Sequence, residues 1–225
     1  MRENKKVLIL SGPTHEYFDP VRFIGNASSG KMGKALAEEA LSQGFEVDFI
    51  SGPVPDANLP GEARPEETRR AIHITRITGA EEMLSAAQAK FAAADIIIFA
   101  AAIADFQPLE KSDEKVPKGE NNVSMELKPT PDIAARLCAN KRDDQIAIGF
   151  ALQTHDGEAK AREKLAKKNL NGIVLNTPAS LGAETGFFTW IGSPARQAQS
   201  RQPLENWGCL TKTECAKKIF RAFSE

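Results

Sequence analysis

Asp95-Ile-Ile-Ile-Phe-Ala100 is the most apolar strand pattern in the chain, and a helical pattern from Ala80 to Ala94 leads directly into it. In that helical pattern Leu84, Ala87 and Phe91 recur at the spacing of one helix face. A short, continuous apolar run is typical of a strand buried on both faces of a parallel sheet. The stretch therefore predicts one helix and one strand of a βαβ unit.

The same alternation continues on both sides of this stretch. Further strands are predicted at Lys6 to Ser11, Val47 to Ser51, Ala71 to Ile77, Val123 to Leu127, Gln145 to Ala151 and Gly172 to Asn176. Further helices are predicted between Ser29 and Gly44, after Asp132, and from Ala159 to Lys168. This order predicts an α/β fold: a doubly wound, mostly parallel sheet, Rossmann-like in a modified form, with helices on both faces.

The C-terminal part departs from this alternation. Thr185 to Ile191, with a return strand after Gln199, predicts a small β-hairpin. The capping box Thr211-x-x-Glu214 then predicts a closing helix.

The bulk composition limits the class of protein. The 225 residues carry 29 Lys and Arg against 30 Asp and Glu, a net charge of −1, so no electrostatic attraction to nucleic acid or to an anionic membrane is expected. Cys138, Cys209 and Cys215 fit neither a disulfide framework nor a metal motif. No apolar run reaches the ~18 residues of a membrane helix, and the N-terminus lacks a signal-peptide pattern. We expect one soluble domain over residues 1–225, in the cytoplasm.

Polar side chains gather on the loops that follow the predicted strands. Ligands of doubly wound sheets bind outside the carboxyl ends of the strands, so these loops form the candidate site. They contain no G-x-S-x-G nucleophile motif, no metal-ligand spacing and no G-x-G-x-x-G dinucleotide turn. The polar residues that they supply are Asn26, Asp105, Lys115, Lys118, Gln153 and Asn176.

A long loop is predicted from Thr14 to Ser29, and the stretch from Asp19 to Lys34 is the most unusual, because it runs from this loop into a helix through Ser28-Ser-Gly30. The first N–H groups of a helix can hold a phosphate or a carboxylate. Gly25-x4-Gly30-Lys31 is not a P-loop, since Met32 stands where a magnesium-binding Ser or Thr is required. An N-capping serine without a ligand is the alternative interpretation.

The remaining groups, which are amides, backbone N–H groups and lysines, suit a site that holds phosphates and a carboxylate in line. Reactions of this kind usually rely on Mg²⁺ carried in by a nucleotide. The charged segment from Gln107 to Asn122 is either a surface loop or a functional lid. Two alternatives remain open: an NADPH-dependent oxidoreductase on a Rossmann-like sheet, which the missing glycine turn disfavours, and a non-catalytic nucleotide-binding regulator.

An ordered series of motifs from Val7 to about Asn176 resembles phosphopantothenoylcysteine synthetase (phosphopantothenate–cysteine ligase) of the stand-alone bacterial type. Each motif is weak alone, but their order and spacing together are specific. The motifs are Gly12-Pro-Thr14, Asp19-Pro-Val-Arg22, Asn26-x-Ser-Ser-Gly-Lys-Met-Gly33, Ser51-Gly-Pro53, Ala101-Ala-Ile-Ala-Asp-Phe106, Glu114-Lys-x-x-Lys118, Pro131-Asp-Ile133, Gly149-Phe-Ala151 and Ala161-x-x-Lys-x-x-x-Lys-Asn169.

The resemblance implies a ligase of coenzyme A biosynthesis. In that family the carboxylate of 4′-phosphopantothenate attacks the α-phosphate of a nucleoside triphosphate, pyrophosphate leaves and an acyl-nucleotide remains. The amine of cysteine then displaces the nucleotide and forms an amide. CTP is the expected co-substrate, giving an acyl-CMP intermediate, with ATP as the alternative; Mg²⁺ is expected to arrive with the nucleotide, and no metal site built by the protein is expected.

The resemblance also implies roles for individual residues. Asn26 would contact the activated carboxyl group, and Lys115 would lie on a loop that closes over the intermediate, which makes these two the expected catalytic residues. Arg22, expected to bind substrate together with Asn26, would reach the neighbour's site in a homodimer. The expected nucleotide-binding residues are Ser28, Ser29, Gly30, Ala101, Asp105, Lys115, Asp132, Ile133, Ala134, Ala135, Phe150, Lys164 and Lys168.

The sequence departs from the family pattern in two places. Gln153 stands where the family commonly has an acidic residue, which puts a ribose or metal contact there in doubt. Beyond Asn176 the family's landmarks are blurred into Gly186-Phe-Phe188, so residues 177–210 receive no predicted role. No flavin-dependent decarboxylase precedes Met1, so we expect a stand-alone synthetase served by a separate decarboxylase; whether the two form a stable complex stays open.

Overall fold

The structure, a computed structural model, describes residues 5–61, 72–119, 122–153, 156–193 and 204–224. In these ranges the strands, numbered β1 to β12, are Lys6–Ser11, His15–Tyr17, Phe23–Gly25, Glu46–Ser51, Ile72–Arg76, Ile96–Phe99, Phe106–Pro108, Leu127–Pro129, Ile146–Leu152, Gly172–Asn176, Thr185–Gly192 and Leu204–Thr211. The α-helices of the same ranges, α1 to α5, are Lys31–Ser42, Ala80–Phe91, Ile133–Cys138, Gly157–Lys167 and Lys212–Ser224.

Eight of the described strands form one sheet in the order β12-β11-β10-β9-β6-β1-β4-β5. Neighbours from β10 to β5 are parallel, and β11 and β12 extend the sheet as an antiparallel pair. The predicted α/β fold and C-terminal strand pair are thereby confirmed. Strands β4 and β5 lie on one side of β1, and the chain then crosses over to place β6 and β9 on the other side. This reversal leaves a crevice between the carboxyl ends of β1 and β6, where ligands bind in doubly wound folds.

Alternate residues of β1 face opposite helix layers. Val7 and Ile9 pack with Leu36 of α1 and with α5 on one face, whereas Leu8 and Leu10 pack with α2 and α3 on the other. Helix α4 covers this second face beside β9 and β10. Full burial of such a side chain contributes about 1.5–3 kcal/mol, so β1 anchors both layers of the molecule.

Two predictions, one of a loop and one of a strand, are wrong in detail. The loop predicted from Thr14 to Ser29 contains the antiparallel pair β2 and β3, whose strands are too short to give an alternating pattern. The strand predicted at Val123 to Leu127 lies instead at Leu127–Pro129, paired with Phe106–Pro108. Residues 123–126 are exposed, so their alternation did not reflect packing against a buried layer.

The C-terminal helix begins as its capping box predicts. The backbone N–H of Thr211 donates to the Glu214 carboxylate at 2.8 Å, and the N–H of Glu214 donates to Thr211 Oγ1 at 3.2 Å. The predicted start of the return strand, after Gln199, lies outside the described residues. None of the helices in the described ranges has the length and apolar character needed to cross a membrane.

Candidate functional site

A central cavity of about 630 Å³ lies at the carboxyl ends of β1, β6 and β9. Its walls come from the segment after β6, the turn before α3, the end of β9 and one face of α4. The site residues predicted from sequence that line it are Asn26, Ala101, Asp105, Asp132, Ile133, Ala134, Phe150, Lys164 and Lys168. The sheet order thus brings residues of separate loops to one cavity.

The wall between Ala101 and Asp105 is fixed by two threonines. The N–H of Ala104 donates to Oγ1 of Thr14 at 3.0 Å, and Oγ1 of Thr130 donates to the Ala104 carbonyl at 2.5 Å. The N–H of Thr130 also donates to the Asp105 carbonyl at 3.0 Å. The sequence assigned no role to either threonine, although Thr14 stands in a motif of the resemblance, because a hydroxyl that satisfies a distant backbone group leaves no local pattern.

Asp132 has two partners at the edge of the central cavity. Its Oδ1 accepts from the N–H of Ala135 at 3.1 Å, which caps α3 as predicted, and from Nζ of Lys168 at 2.9 Å. Burial alone would raise the pKa of Asp132, but the hydrogen bonds from Lys168 and Ala135 outweigh it and lower the pKa. Ala135 itself does not line the cavity, and its N–H donates to Asp132 in this cap.

Lys164 lies in the last turn of α4 and Lys168 is the C-cap residue of that helix, and both line the central cavity. The apolar face of α4, with Ala161 and Leu165, is buried against β9 and β10 and sets this orientation. Lys168 is paired with Asp132, whereas no ion pair of Lys164 occurs among the described residues. The helix therefore presents positive charge suited to an anionic ligand.

Asn26 lies where two cavities meet. Its Nδ2 donates to the Ile103 carbonyl at 2.8 Å, which ties the loop before α1 to the segment after β6. Asn26, Ala27 and Leu181 line both the central cavity and an adjoining cavity of about 610 Å³. A group held beside Asn26 can therefore meet ligands from both sides.

Ser28 and Ser29 line the adjoining cavity, not the central one. The N-cap of α1 is Gly30, with φ 75° and no side-chain cap, so the alternative interpretation of an N-capping serine is wrong. A Cβ at residue 30 would lie 2.9 Å from the Val54 side chain. Close packing and the left-handed backbone therefore both require glycine there.

The segment carrying Lys115 docks on the loop between β2 and β3. The N–H of Val116 donates to the Asp19 carboxylate at 3.2 Å, and the Arg22 side chain donates both to that carboxylate and to the Val116 carbonyl. Arg22 lines a separate cavity of about 420 Å³, and the exposed Lys115 lines none of these three cavities. The catalytic role of Lys115 and the substrate-binding role of Arg22 stay predictions.

Asp19, to which the sequence assigned no role, is the centre of this contact. Its side chain is buried, which alone would raise its pKa. Hydrogen bonds from the N–H of Val21, from the side chain and N–H of Arg22 and from the N–H of Val116 outweigh burial and lower the pKa of Asp19 to about 2. The Asp19-Pro-Val-Arg22 spacing is the signal that could have identified an Asp-centred turn.

The described part of the chain contains no ready-made cluster of metal ligands, and two of its cysteines are buried. No group of three or more His, Cys, Asp and Glu side chains there is arranged to hold a metal ion. Burial raises the pKa of Cys138 to about 11 and that of Cys215 to about 12. Both therefore remain thiols, and not nucleophilic thiolates, at neutral pH.

Comparison with known protein families gives a match over nearly the whole chain. Residues 2–225 match the family model described as DNA/pantothenate metabolism flavoprotein C-terminal domain. The crystal structure of the C-terminal domain of the coenzyme A biosynthesis bifunctional protein CoaBC is similar, with a TM-score of 0.75 and 33% identity over 98% of this chain and 94% of that chain.

Two curated relatives are longer than this chain. A protein named cysteine/cysteine sulfinic acid decarboxylase, from an unknown prokaryotic organism, is 44% identical over 221 residues, which are 96% of this chain and 57% of that protein. CoaBC of Bacillus subtilis (strain 168) is 41% identical over 191 residues, 83% of this chain and 45% of that protein. The chain thus spans about half the length of the curated relatives it matches.

Proposed function

Because the chain belongs to the DNA/pantothenate metabolism flavoprotein C-terminal domain family, we propose that it joins 4′-phosphopantothenate to cysteine in coenzyme A biosynthesis. The reaction runs through an acyl-nucleotide and releases pyrophosphate. In this proposal residues 1–225 act as one ligase domain in the cytoplasm.

The observation that carries this proposal is that two cavities adjoin at Asn26. A nucleotide in one cavity and a carboxylate substrate in the other would meet at their shared wall. Holding the reacting atoms in contact replaces a chance encounter of two molecules, which lowers the barrier without a covalent enzyme intermediate. In this proposal the second N–H of Asn26 Nδ2, the one not donated to the Ile103 carbonyl, stabilises charge that develops on the acyl oxygen.

The central cavity suits the nucleotide. Lys164 and Lys168 supply positive charge for its phosphates, and the fixed segment that ends at Asp105 supplies backbone groups and one carboxylate. Mg²⁺ in such sites is held by one or two carboxylates together with the phosphates of the substrate, so Asp105 fits an ion carried in by the nucleotide. When bound, Mg²⁺ would offset the charge of the departing pyrophosphate.

The proposal also covers the choice of nucleotide, two residues that do not line the central cavity, and a partner enzyme. CTP is the proposed nucleotide, Lys115 the proposed lid residue, and Arg22 the residue that completes the neighbour's site in a homodimer. A flavin-dependent decarboxylase is the proposed user of the product. The decarboxylase name of one relative belongs to a longer protein, of which 57% matches this chain.

A panel of nucleotides tests the function. The protein is incubated with phosphopantothenate, cysteine, Mg²⁺ and either CTP or ATP, and pyrophosphate and the amide product are measured. We expect both products with CTP, and no thermal shift with NADPH. Absence of pyrophosphate with every nucleotide would contradict the proposal, and CTP binding without cysteine-dependent turnover would indicate a regulator instead.

A further inference from the structure

The segment of residues 177–184, which joins β10 to β11, forms a wall for which the sequence predicted no role. We refer to it as the Leu181 segment. Leu181 is 42% exposed, yet it lines both the central and the adjoining cavity. It is therefore a large apolar side chain at the junction where Asn26 also lies.

The base of the Leu181 segment is tied to α5. The buried Lys212 donates from Nζ to the Ser180 carbonyl at 3.1 Å and from its N–H to the Glu184 carbonyl at 3.2 Å. Oγ of Ser180 accepts from Nδ2 of Asn176 at 2.9 Å and donates to the Thr177 carbonyl at 2.8 Å. Lys212 therefore fixes the backbone on both sides of Leu181, at Ser180 and at Glu184.

The rim of the Leu181 segment is tied to α1. Nζ of Lys31 forms an ion pair with the Glu184 carboxylate and donates to the Gly182 carbonyl at 3.2 Å. The hydrogen bond from Lys31 and its charge lower the pKa of Glu184. Because Lys31 follows the loop that carries Asn26, this pair joins the two walls that enclose the junction.

We propose that Leu181 excludes water from the acyl-nucleotide, and that Lys31 and Glu184 are positioning residues that hold it over the junction. This inference rests on the proposed ligase function. Water competes with cysteine for the intermediate: its oxygen bonds to the acyl carbon, the bond from that carbon to the phosphate oxygen breaks, and a nucleoside monophosphate leaves. The carboxylate is regenerated and the protons of water pass to solvent, so nucleotide is consumed without an amide. An apolar side chain at the junction offers no hydrogen bond to a water molecule there and so disfavours its attack.

The partition of the intermediate tests the inference. Nucleoside monophosphate released per amide formed is measured for the wild type and for Leu181→Ala, Leu181→Met and Glu184→Gln. We expect the ratio to rise several-fold in Leu181→Ala and to a smaller extent in Glu184→Gln, and to stay near the wild-type ratio in Leu181→Met. Lys34→Met is the matched control, because Lys34 lies one turn along α1 and contacts Glu38 and the Ala57 carbonyl, away from both cavities.

The outcomes separate the two levels of the proposal. If the wild type releases no pyrophosphate, the ligase function and this inference both fall. If the wild type forms the amide but Leu181→Ala keeps the wild-type ratio, only the water-excluding role of Leu181 is overturned. If Lys34→Met raises the ratio as much as Glu184→Gln, the positioning role of the Lys31–Glu184 pair is overturned.

Discussion

Lys164 and Lys168 differ in what their ammonium groups contact before any ligand arrives. Nζ of Lys168 lies 2.9 Å from the Asp132 carboxylate, whereas no carboxylate of the described residues pairs with Lys164. A phosphate would have to compete with Asp132 for Lys168. Lys164 can give its full charge to the ligand, and a charge-assisted hydrogen bond is worth about 1.5–3 kcal/mol.

We predict that Lys164→Met raises the KM for the nucleotide about tenfold, which corresponds to ~1.4 kcal/mol. The thermal midpoint should change little, because no ion pair within the described part of the protein is lost. Lys167→Met, an exposed lysine of the same helix outside the cavity, is the control and should leave KM unchanged. Equal KM values for both variants would contradict the assignment of Lys164.

Asp19 gives a prediction about acid stability. Its pKa in the folded protein is about 2, below its usual value of 3.8, so its ionised form is favoured by folding. The stabilisation is therefore fully present above pH 3.8 and is lost as the pH falls towards about 2.

Asp19→Asn should lower the thermal midpoint at pH 7, and its difference from the wild type should shrink as the pH falls from 3.8 to about 2. Thermal unfolding over a pH series measures this difference. Asp113→Asn, an exposed aspartate of the neighbouring segment, should show no such dependence. A difference that stays constant with pH would argue against the ionised Asp19 as its cause.

At the scale of elements, the segment that carries Lys115 has the properties of a movable cover. It is held to the loop between β2 and β3 by the N–H of Ser112 on the Phe18 carbonyl at 2.9 Å and by the contacts of Val116 with Asp19 and Arg22. Lys115 itself is exposed. Few hydrogen bonds need to break for such a segment to move, and the apolar core does not contribute to them.

We predict that Lys115→Gln lowers turnover about a hundredfold, the usual effect of removing one group that stabilises transition-state charge. The thermal midpoint should stay unchanged. Lys111→Gln, also exposed and in the same segment, should retain wild-type turnover. A fall in thermal midpoint with unchanged activity per folded molecule would make Lys115 a structural residue.

At the scale of the whole molecule, Arg22 indicates why a second copy would be needed. Arg22 faces the separate cavity beside Val116 and lines neither the central nor the adjoining cavity of its own chain. A role in substrate binding therefore requires either a large movement or a neighbouring chain. The proposed homodimer meets this requirement without breaking the contact between Arg22 and Asp19 within each chain.

Mixing two impaired variants, assayed at a nucleotide concentration well below the wild-type KM, tests this arrangement. Arg22→Gln and Lys164→Met are purified separately and then allowed to exchange subunits. If each site takes Arg22 from its neighbour and Lys164 from its own chain, random pairing restores about a quarter of the sites. Activity that does not rise on mixing, with subunit exchange verified by mass, would contradict the shared site; mixing Lys164→Met with itself is the control.

The sequence by itself determined the helices and strands of the main sheet, and the family. Apolar runs such as Ile96–Phe99 and the cap at Asp132 are local patterns, and both occur in the structure as predicted. The ordered motifs predicted the resemblance to phosphopantothenoylcysteine synthetase, and the family match over residues 2–225 and the similarity to CoaBC confirm it.

Only the tertiary structure decided how these residues combine. That Asn26 stands between two cavities, that Lys168 is paired and Lys164 is not, and that Lys31 holds the Leu181 segment all depend on contacts between distant parts of the chain. Such contacts leave no periodicity or short spacing in the sequence. They arise because the crossover at β1 places loops far apart in the chain at one edge of the sheet.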